Sequence, residues 1–271
     1  MHSPSCLRRR SSPAGVDFFQ LRTFALAFLL VATVGGSVTV GILIGRALRG
    51  RPNTTHEPAG VVQGTLLGLV GLLLAFGLSM AVGRYDTRRA LVVQEANDIG
   101  TTYLRAQLLS EPERDQSLAL LVEYTDAAIA LADTTPDTAQ YRDRVQAVES
   151  LQTDLWALAG DAVAADPVGT APRLYIEVLN DMFDTHTSRV ASLSNRVPTP
   201  VMLLLVLGSS VALGALAVFL TLLGRSIMTS LITAVVLLVI LFVSFDLDRP
   251  HRGFITVPDA PLIQLRESMG A

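Results

Sequence analysis

Residues 61–83 read VVQGTLLGLVGLLLAFGLSMAVG, with no ionisable side chain anywhere in the run. A helix of that length crosses a hydrocarbon core of roughly 30 Å. The chain continues RYDTRRALVVQEANDIGTTYL with no Pro and no loop cluster between the two parts. In the continuation Val92, Ala96, Ile99 and Tyr103 recur at helical spacing. One long helix is therefore predicted to leave the bilayer and run on into water. Arg84, Tyr85, Asp86, Arg88 and Arg89 mark the crossing, because Arg and Tyr collect at lipid–water boundaries. Any coupling between a membrane part and a soluble part runs through this helix.

Three more apolar runs have spanning length: 23–45, 201–223 and 226–245, beside 59–83. The first is too long for a signal-peptide core, lacks an obvious small-residue cleavage site and reads as a retained helix. Arg46, Arg49, Arg51 and Pro52 end it. Gly224 and Arg225 alone separate the last two, which predicts a tight helical hairpin. Residues 1–22 are rich in Arg, Ser and Pro, including Arg8, Arg9 and Arg10, and read as a disordered tail.

Residues 84–198 read as an antiparallel helical bundle continuous with spans two and three. Ser110 and Glu113 have the spacing of a capping box that starts a second helix, with Leu118, Leu121, Val122, Ala128, Ile129 and Ala132 on one face. A third helix follows Pro136-Asp137 and carries Val145, Val148, Leu151, Leu155, Leu158 and Ala162. A fourth, from about 172 to 195, carries Tyr175, Leu179, Met182, Val190 and Leu193. No period-two run suggests a strand. The expected fold is an all-α membrane protein: four transmembrane helices with a cytoplasmic bundle inserted between spans two and three. Its parts are a tail (1–22), helices one and two (23–83), the bundle (84–198), helices three and four (199–245) and a C-terminal segment (246–271).

Arginine placement orients it. The tail, bundle and C-terminal side holds 11 boundary arginines against 4 on the other, so both termini are expected in the cytoplasm of a multi-pass cell-membrane protein. The bundle has 10 Arg against 18 Asp plus Glu, read as a solvated outer face.

Several functions are disfavoured. All 21 basic residues are Arg, and no basic run interleaves with aromatics, so nucleic acid is not an expected partner. The single Cys6 excludes an internal disulfide and a multi-cysteine metal site, and reads as a free thiol. His2, His56, His186 and His251 have no metal-ligand spacing, and His186 reads as a hydrogen-bonded core residue. Hydrolase, P-loop and zincin motifs are lacking, so no enzyme, cofactor or resident metal is expected. The spans hold no Asp, Glu, Lys, Arg or His between their boundary residues, which argues against ion-coupled transport.

The spans are instead rich in small residues, with Gly41 and Gly45 in the first and Gly60, Gly64, Gly68 and Gly71 in the second. Small residues four apart permit tight helix packing, within a subunit or between subunits. Leu72, Phe76, Ser79 and Gly83 share one helical face, which either packs against lipid or protein or lines a narrow pore gated by dewetting. Arg84, Arg88 and Arg89 either anchor the helix at headgroups or draw anions to a pore mouth. Glu95, Asn97 and Gly100 are polar or small for a packed helix, and Gly100 suggests a close helix contact there. After the last span, Asp246, Asp248, Arg249, Pro250, Gly253 and Phe254 suggest an ordered turn, with internal Asp–Arg pairing a better use of the carboxylates than a divalent ion.

Residues 73–109, LLAFGLSMAVGRYDTRRALVVQEANDIGTTYLRAQLL, together with DLDRPHRGFI at 246–255 and Pro261-Leu262, resemble the bestrophin-like domain family of bacterial and plant integral membrane proteins. The resemblance covers roughly residues 25 to 269, and the run at 84–105 is its most specific part. A weaker likeness links that family to the bestrophin channels, in which the second helix lines a pore with a hydrophobic neck. It implies a passive, anion-permeable channel formed by a homo-oligomer, a pentamer by analogy, around the second helix. Tyr85-Asp86 with Arg88-Arg89 is similar to the motif that follows the neck in bacterial bestrophins, although Arg replaces its aromatic pair. Leu72 and Phe76 match apolar neck positions by analogy, and Ser79 departs from them. Asp246 and Asp248 lie where animal bestrophins carry a calcium-binding acidic cluster, but here the cluster is too thin to carry that role over. A second reading is a non-conducting membrane-anchored bundle that binds a partner or ligand.

Overall fold

The structure is a computed structural model, and it describes residues 23–49, 56–135, 138–225, 228–249 and 253–270. These form eight helices and no strand. In chain order they are α1 (Thr23–Leu48), α2 (His56–Ala106), α3 (Glu113–Ala132), α4 (Ala139–Ala165), α5 (Thr170–Ser194), α6 (Thr199–Leu222), α7 (Met228–Leu247) and α8 (Ala260–Ser268). The predicted tail, with Cys6 and its arginines, lies outside the described residues, as do Arg51, Pro52, Pro250, His251 and Arg252.

The second helix runs unbroken for 51 residues. At 1.5 Å per residue it is about 75 Å long, more than twice a hydrocarbon core. Four helices are long and apolar enough to cross a membrane: α1, α2, α6 and α7. α1 packs mainly on α6, and the interior they form with α2 and α7 is built from Leu26, Leu30, Val34, Leu74, Leu213, Leu241 and Phe245. A separate core, with Ile99, Leu121, Tyr124, Leu155, Tyr175 and Leu179, joins the far half of α2 to α3, α4, α5 and α8. Two cores strung on one helix are what the apolar-then-amphipathic sequence of α2 requires.

The capping box does not form. Pro112, in αR conformation, occupies the position before α3, and no side chain caps that end. Ser110 contributes its backbone carbonyl, which accepts from Arg114 N–H at 2.9 Å. α4 does receive a side-chain cap, with Thr138 accepting from Tyr141 N–H at 3.1 Å.

The small residues divide into two groups. A Cβ on Gly41 would collide with the carbonyl oxygen of Gly214, and one on Gly45 would meet the Thr221 side chain at 2.7 Å, so both glycines set the α1–α6 approach. Gly60 faces the Phe219 ring. Gly64, Gly68 and Gly71 face open space, so their spacing does not serve packing within the subunit. Gly100 meets Leu265 of α8, the close helix contact that its position suggested.

Candidate functional site at the membrane crossing of the second helix

A straight helix separates the sequence motif around Arg84 into an inner and an outer face. Leu72 and Phe76 are more than half exposed, and Ser79 and Gly83 are exposed as well. The four candidate pore residues therefore form an exposed stripe on the outside of their own subunit. Asp86 and Asn97 continue that stripe beyond the apolar segment, and both are exposed. Arg89 is exposed but lies about a quarter turn away at 100° per residue. Arg84 and Tyr85 are half-buried. Arg84 turns to the α5–α6 junction, where its guanidinium donates to Asn195 Oδ1.

Arg88 faces the opposite way and is 2% exposed. Its guanidinium is turned into the subunit, away from the stripe. Its Nη2 donates to the Asn195 carbonyl at 2.9 Å, its Nη1 to the Leu247 carbonyl at 3.2 Å and its Nε to the Ser192 carbonyl at 3.3 Å. Those carbonyls belong to the last turns or caps of α5 and α7, where the regular ladder of helical N–H donors runs out; the Ser192 carbonyl also accepts from Asn195 N–H at 3.3 Å. A cation at two helix C-termini also meets the negative ends of both dipoles. Asp248 stands 3.8 Å from Arg88 Nη2 and accepts from Val197 N–H at 2.8 Å, just ahead of α6. One buried ion pair thus ties α2, α5, α6 and α7 together where they leave the apolar layer.

The C-terminal motif is ordered, as expected, but its pairing differs from the reading. The partner of Asp248 is Arg88, far away in sequence, rather than an arginine within the turn. Asp246, 2% exposed, accepts from Phe254 N–H at 3.0 Å and Ile255 N–H at 2.9 Å. Gly253 N–H closes on the Arg249 carbonyl at 3.1 Å, and a Cβ on Gly253 would press on the Asp246 carbonyl at 2.8 Å. Arg249 is itself buried, and the exposed Phe254 ring stacks edge-on against Phe24 of α1. With both carboxylates committed to N–H donors and Arg88, the turn offers a divalent ion little. Among the described residues no His, Cys, Asp and Glu group has the form of a metal site.

Two turns beyond Arg88, Glu95 is fully buried. His186 Nδ1–H donates to its Oε1 at 2.6 Å, and Arg189 pairs with its Oε2. His186 is thus the hydrogen-bonded core residue its helix position implied, but Glu95 and Arg189 were not expected inside. By sequence, Glu95 is polar for a packed helix, and Arg189 is one of the 11 arginines counted near the membrane boundary. The available signal was the i, i+3 spacing of His186 and Arg189, which puts both on the face of α5 that meets α2. Tyr124 packs its ring against His186, with centroids 5.9 Å apart. Burial, then the Glu95 charge, pushes the Tyr124 hydroxyl well above its usual pKa. This cluster and Arg88 are exceptions to the solvated charge expected of the bundle.

Solved structures share this fold. An isoleucine-to-threonine variant of a bacterial Bestrophin homolog from Klebsiella pneumoniae superposes with a TM-score of 0.67 at 15% identity, covering 89% of this chain and 97% of that one. The same homolog solved by zinc phasing gives 0.66 at 14% identity, covering 88% and 96%. At such identity the likeness is one of fold. No curated protein matches in sequence. The family described as Bestrophin-like domain matches residues 26–262, from the start of α1 into α8 and across every residue of the Arg88 and Glu95 clusters. The chain is a multi-pass membrane protein and belongs to the Bestrophin-like domain family.

Proposed function

We propose that the protein is a passive ion channel, a homo-oligomer in which the outward stripe of α2 from each subunit surrounds the pore. The observation behind this reading is the unpartnered stripe itself. Leu72, Phe76, Ser79 and Gly83 are exposed, Gly64, Gly68 and Gly71 beside them leave open space, and no membrane-embedded charge would obstruct an apolar neck. Such a neck conducts when wetted and closes by dewetting. The bundle and both termini lie in the cytoplasm in this reading, and five subunits follow by analogy with bestrophins. Domain boundaries near residues 83 and 198 would separate the spans from the bundle, and one near 245 the last span from the C-terminal segment.

Ion preference has two readings. The resemblance to bestrophins favours anions. The side chains favour cations at the mouth, since Arg88 is buried and Arg84 is turned to Asn195, while Asp86 is the first ionisable group on the stripe. A ring of Asp86 carboxylates would concentrate cations there.

Ion flux from liposomes containing purified oligomers tests the proposal. Phe76→Ala is expected to raise flux and Ser79→Phe to lower it. Reversal potentials in asymmetric salt, for the wild type and Asp86→Asn, decide between the ions. Flux that ignores both neck substitutions would place the pore elsewhere. No flux from verified oligomers would favour the non-conducting bundle that binds a partner or ligand.

A further inference from the structure

Behind the crossing, on the side of α2 away from the stripe, lies a cavity of about 220 Å³. Four parts of the chain form it: α2, the end of α3, α5 and the segment that leads into α8. Arg88 and Arg189 line it from one side and Asp133 and Asp259 from the other, with Val92 and Val257 as apolar wall. Asp133 is exposed, so the cavity opens to solvent at that rim.

The two carboxylates differ from all the other acids of this region. Asp248 is held by Arg88, and Glu95 by Arg189 and His186. Asp133 and Asp259 have no ion pair or side-chain hydrogen bond among the described residues, although two guanidinium groups line the same space. Asp259 also occupies the N-cap of α8, where an Asp normally accepts from the first-turn N–H groups. Here its side chain makes no such bond and borders the cavity instead. On the opposite wall, Arg189 spends Nε on Glu95 and Nη2 on the Ala128 carbonyl, which leaves its other terminal nitrogen as a donor.

A purely anionic ligand would meet Asp133 and Asp259, and a purely cationic one Arg88 and Arg189. A molecule that carries both charges satisfies both walls. We propose that this cavity binds a small zwitterion, an amino-carboxylate whose carboxylate meets Arg189 and whose ammonium lies between Asp133 and Asp259. A 150 Å³ cavity accepts benzene, so this one suits a ligand of about six to ten non-hydrogen atoms. Such a ligand bridges α2 and α5 to the C-terminal segment.

Isothermal titration of the full-length protein in detergent tests this, with L-alanine, β-alanine and L-glutamine as probes and acetate and methylammonium as their single-charge halves. Saturable binding is expected for at least one zwitterion at millimolar concentration and for neither half. Asp259→Asn and Asp133→Asn are expected to weaken it at least about tenfold, the loss of one charge-assisted hydrogen bond. Both residues lie outside the two hydrophobic cores, so both variants should fold. No binding of any of the three zwitterions, equal binding of a half, or affinity unchanged by both substitutions would overturn the assignment.

Discussion

Arg88 and Asp248 meet at 3.8 Å with side chains 3% and 0% exposed, 160 residues apart in the sequence. The pair closes the helix ends at the membrane boundary: Arg88 serves the carbonyl ends of α5 and α7, and Asp248 serves an amide ahead of α6. Sequence motifs that read as two separate signatures are two halves of one contact.

Removing one half strands the other. Arg88→Ala leaves Asp248 buried without its cation and takes a donor from each of three carbonyls, and is expected to cost about 3–5 kcal/mol. Arg88→Lys keeps the charge, but a single ammonium lacks the planar fork that reaches three carbonyls, so it should fall between wild type and Ala. Thermal unfolding of the purified variants in one detergent checks the order. An Arg88→Ala protein as stable as wild type would mean that the pair is dispensable.

The Glu95 cluster behaves differently, because His186 and Arg189 share one acid. Glu95→Ala leaves the buried Arg189 without its acid and should destabilise by a similar ~3–5 kcal/mol. The double substitution Glu95→Leu with Arg189→Leu removes the stranded charge and should recover part of the loss, since apolar replacement of a whole buried pair is often neutral. A double variant that adds the two single losses would show that the residues do not act as a pair.

The helices were legible in the sequence because their signal is local. Apolar runs of spanning length, the unbroken α2 and the amphipathic bundle all appear in windows of a few turns. The interior charges were not legible. Nothing in the neighbourhood of Glu95 says whether it faces water or Arg189, because the answer depends on the register between α2 and α5. Arg88 sits among Arg84, Tyr85 and Arg89 in an apparent boundary cluster, and only the 100° turn per residue sends it inward while Asp86 goes outward. The cavity beneath Asp259 needs four separate segments in place before it exists.

The glycines separate subunit packing from whatever the outer stripe meets. Gly41→Leu cannot be accommodated against the Gly214 carbonyl and should destabilise the subunit or prevent its folding. Gly68→Ala meets open space, and should leave subunit stability unchanged or raise it by about 1 kcal/mol through helix propensity. If Gly68 faces a neighbouring copy, the same substitution will change the oligomer without unfolding the subunit. Unfolding midpoints and sizing in detergent read the two effects separately.

Asp259 gives a pH dependence of definite sign. Burial first, then the charges of Asp133 and Glu95, raise its carboxyl pKa above the ordinary Asp value of 3.8, against the lowering effect of Arg189. The native state therefore holds this proton more tightly than the unfolded chain does. From the unfolded pKa upward the unfolded state binds fewer protons, so the contribution of this group to stability falls as pH rises through the native pKa. Asp259→Asn has no charge to lose. It should match wild type below about pH 3, where the Asp carboxyl is neutral in both folded and unfolded chains. At neutral pH it should be the more stable protein. Unfolding midpoints of both proteins across pH check this divergence. An Asn variant that is less stable at neutral pH would mean that the ionised carboxylate is satisfied in the native state, contrary to its position on the cavity wall.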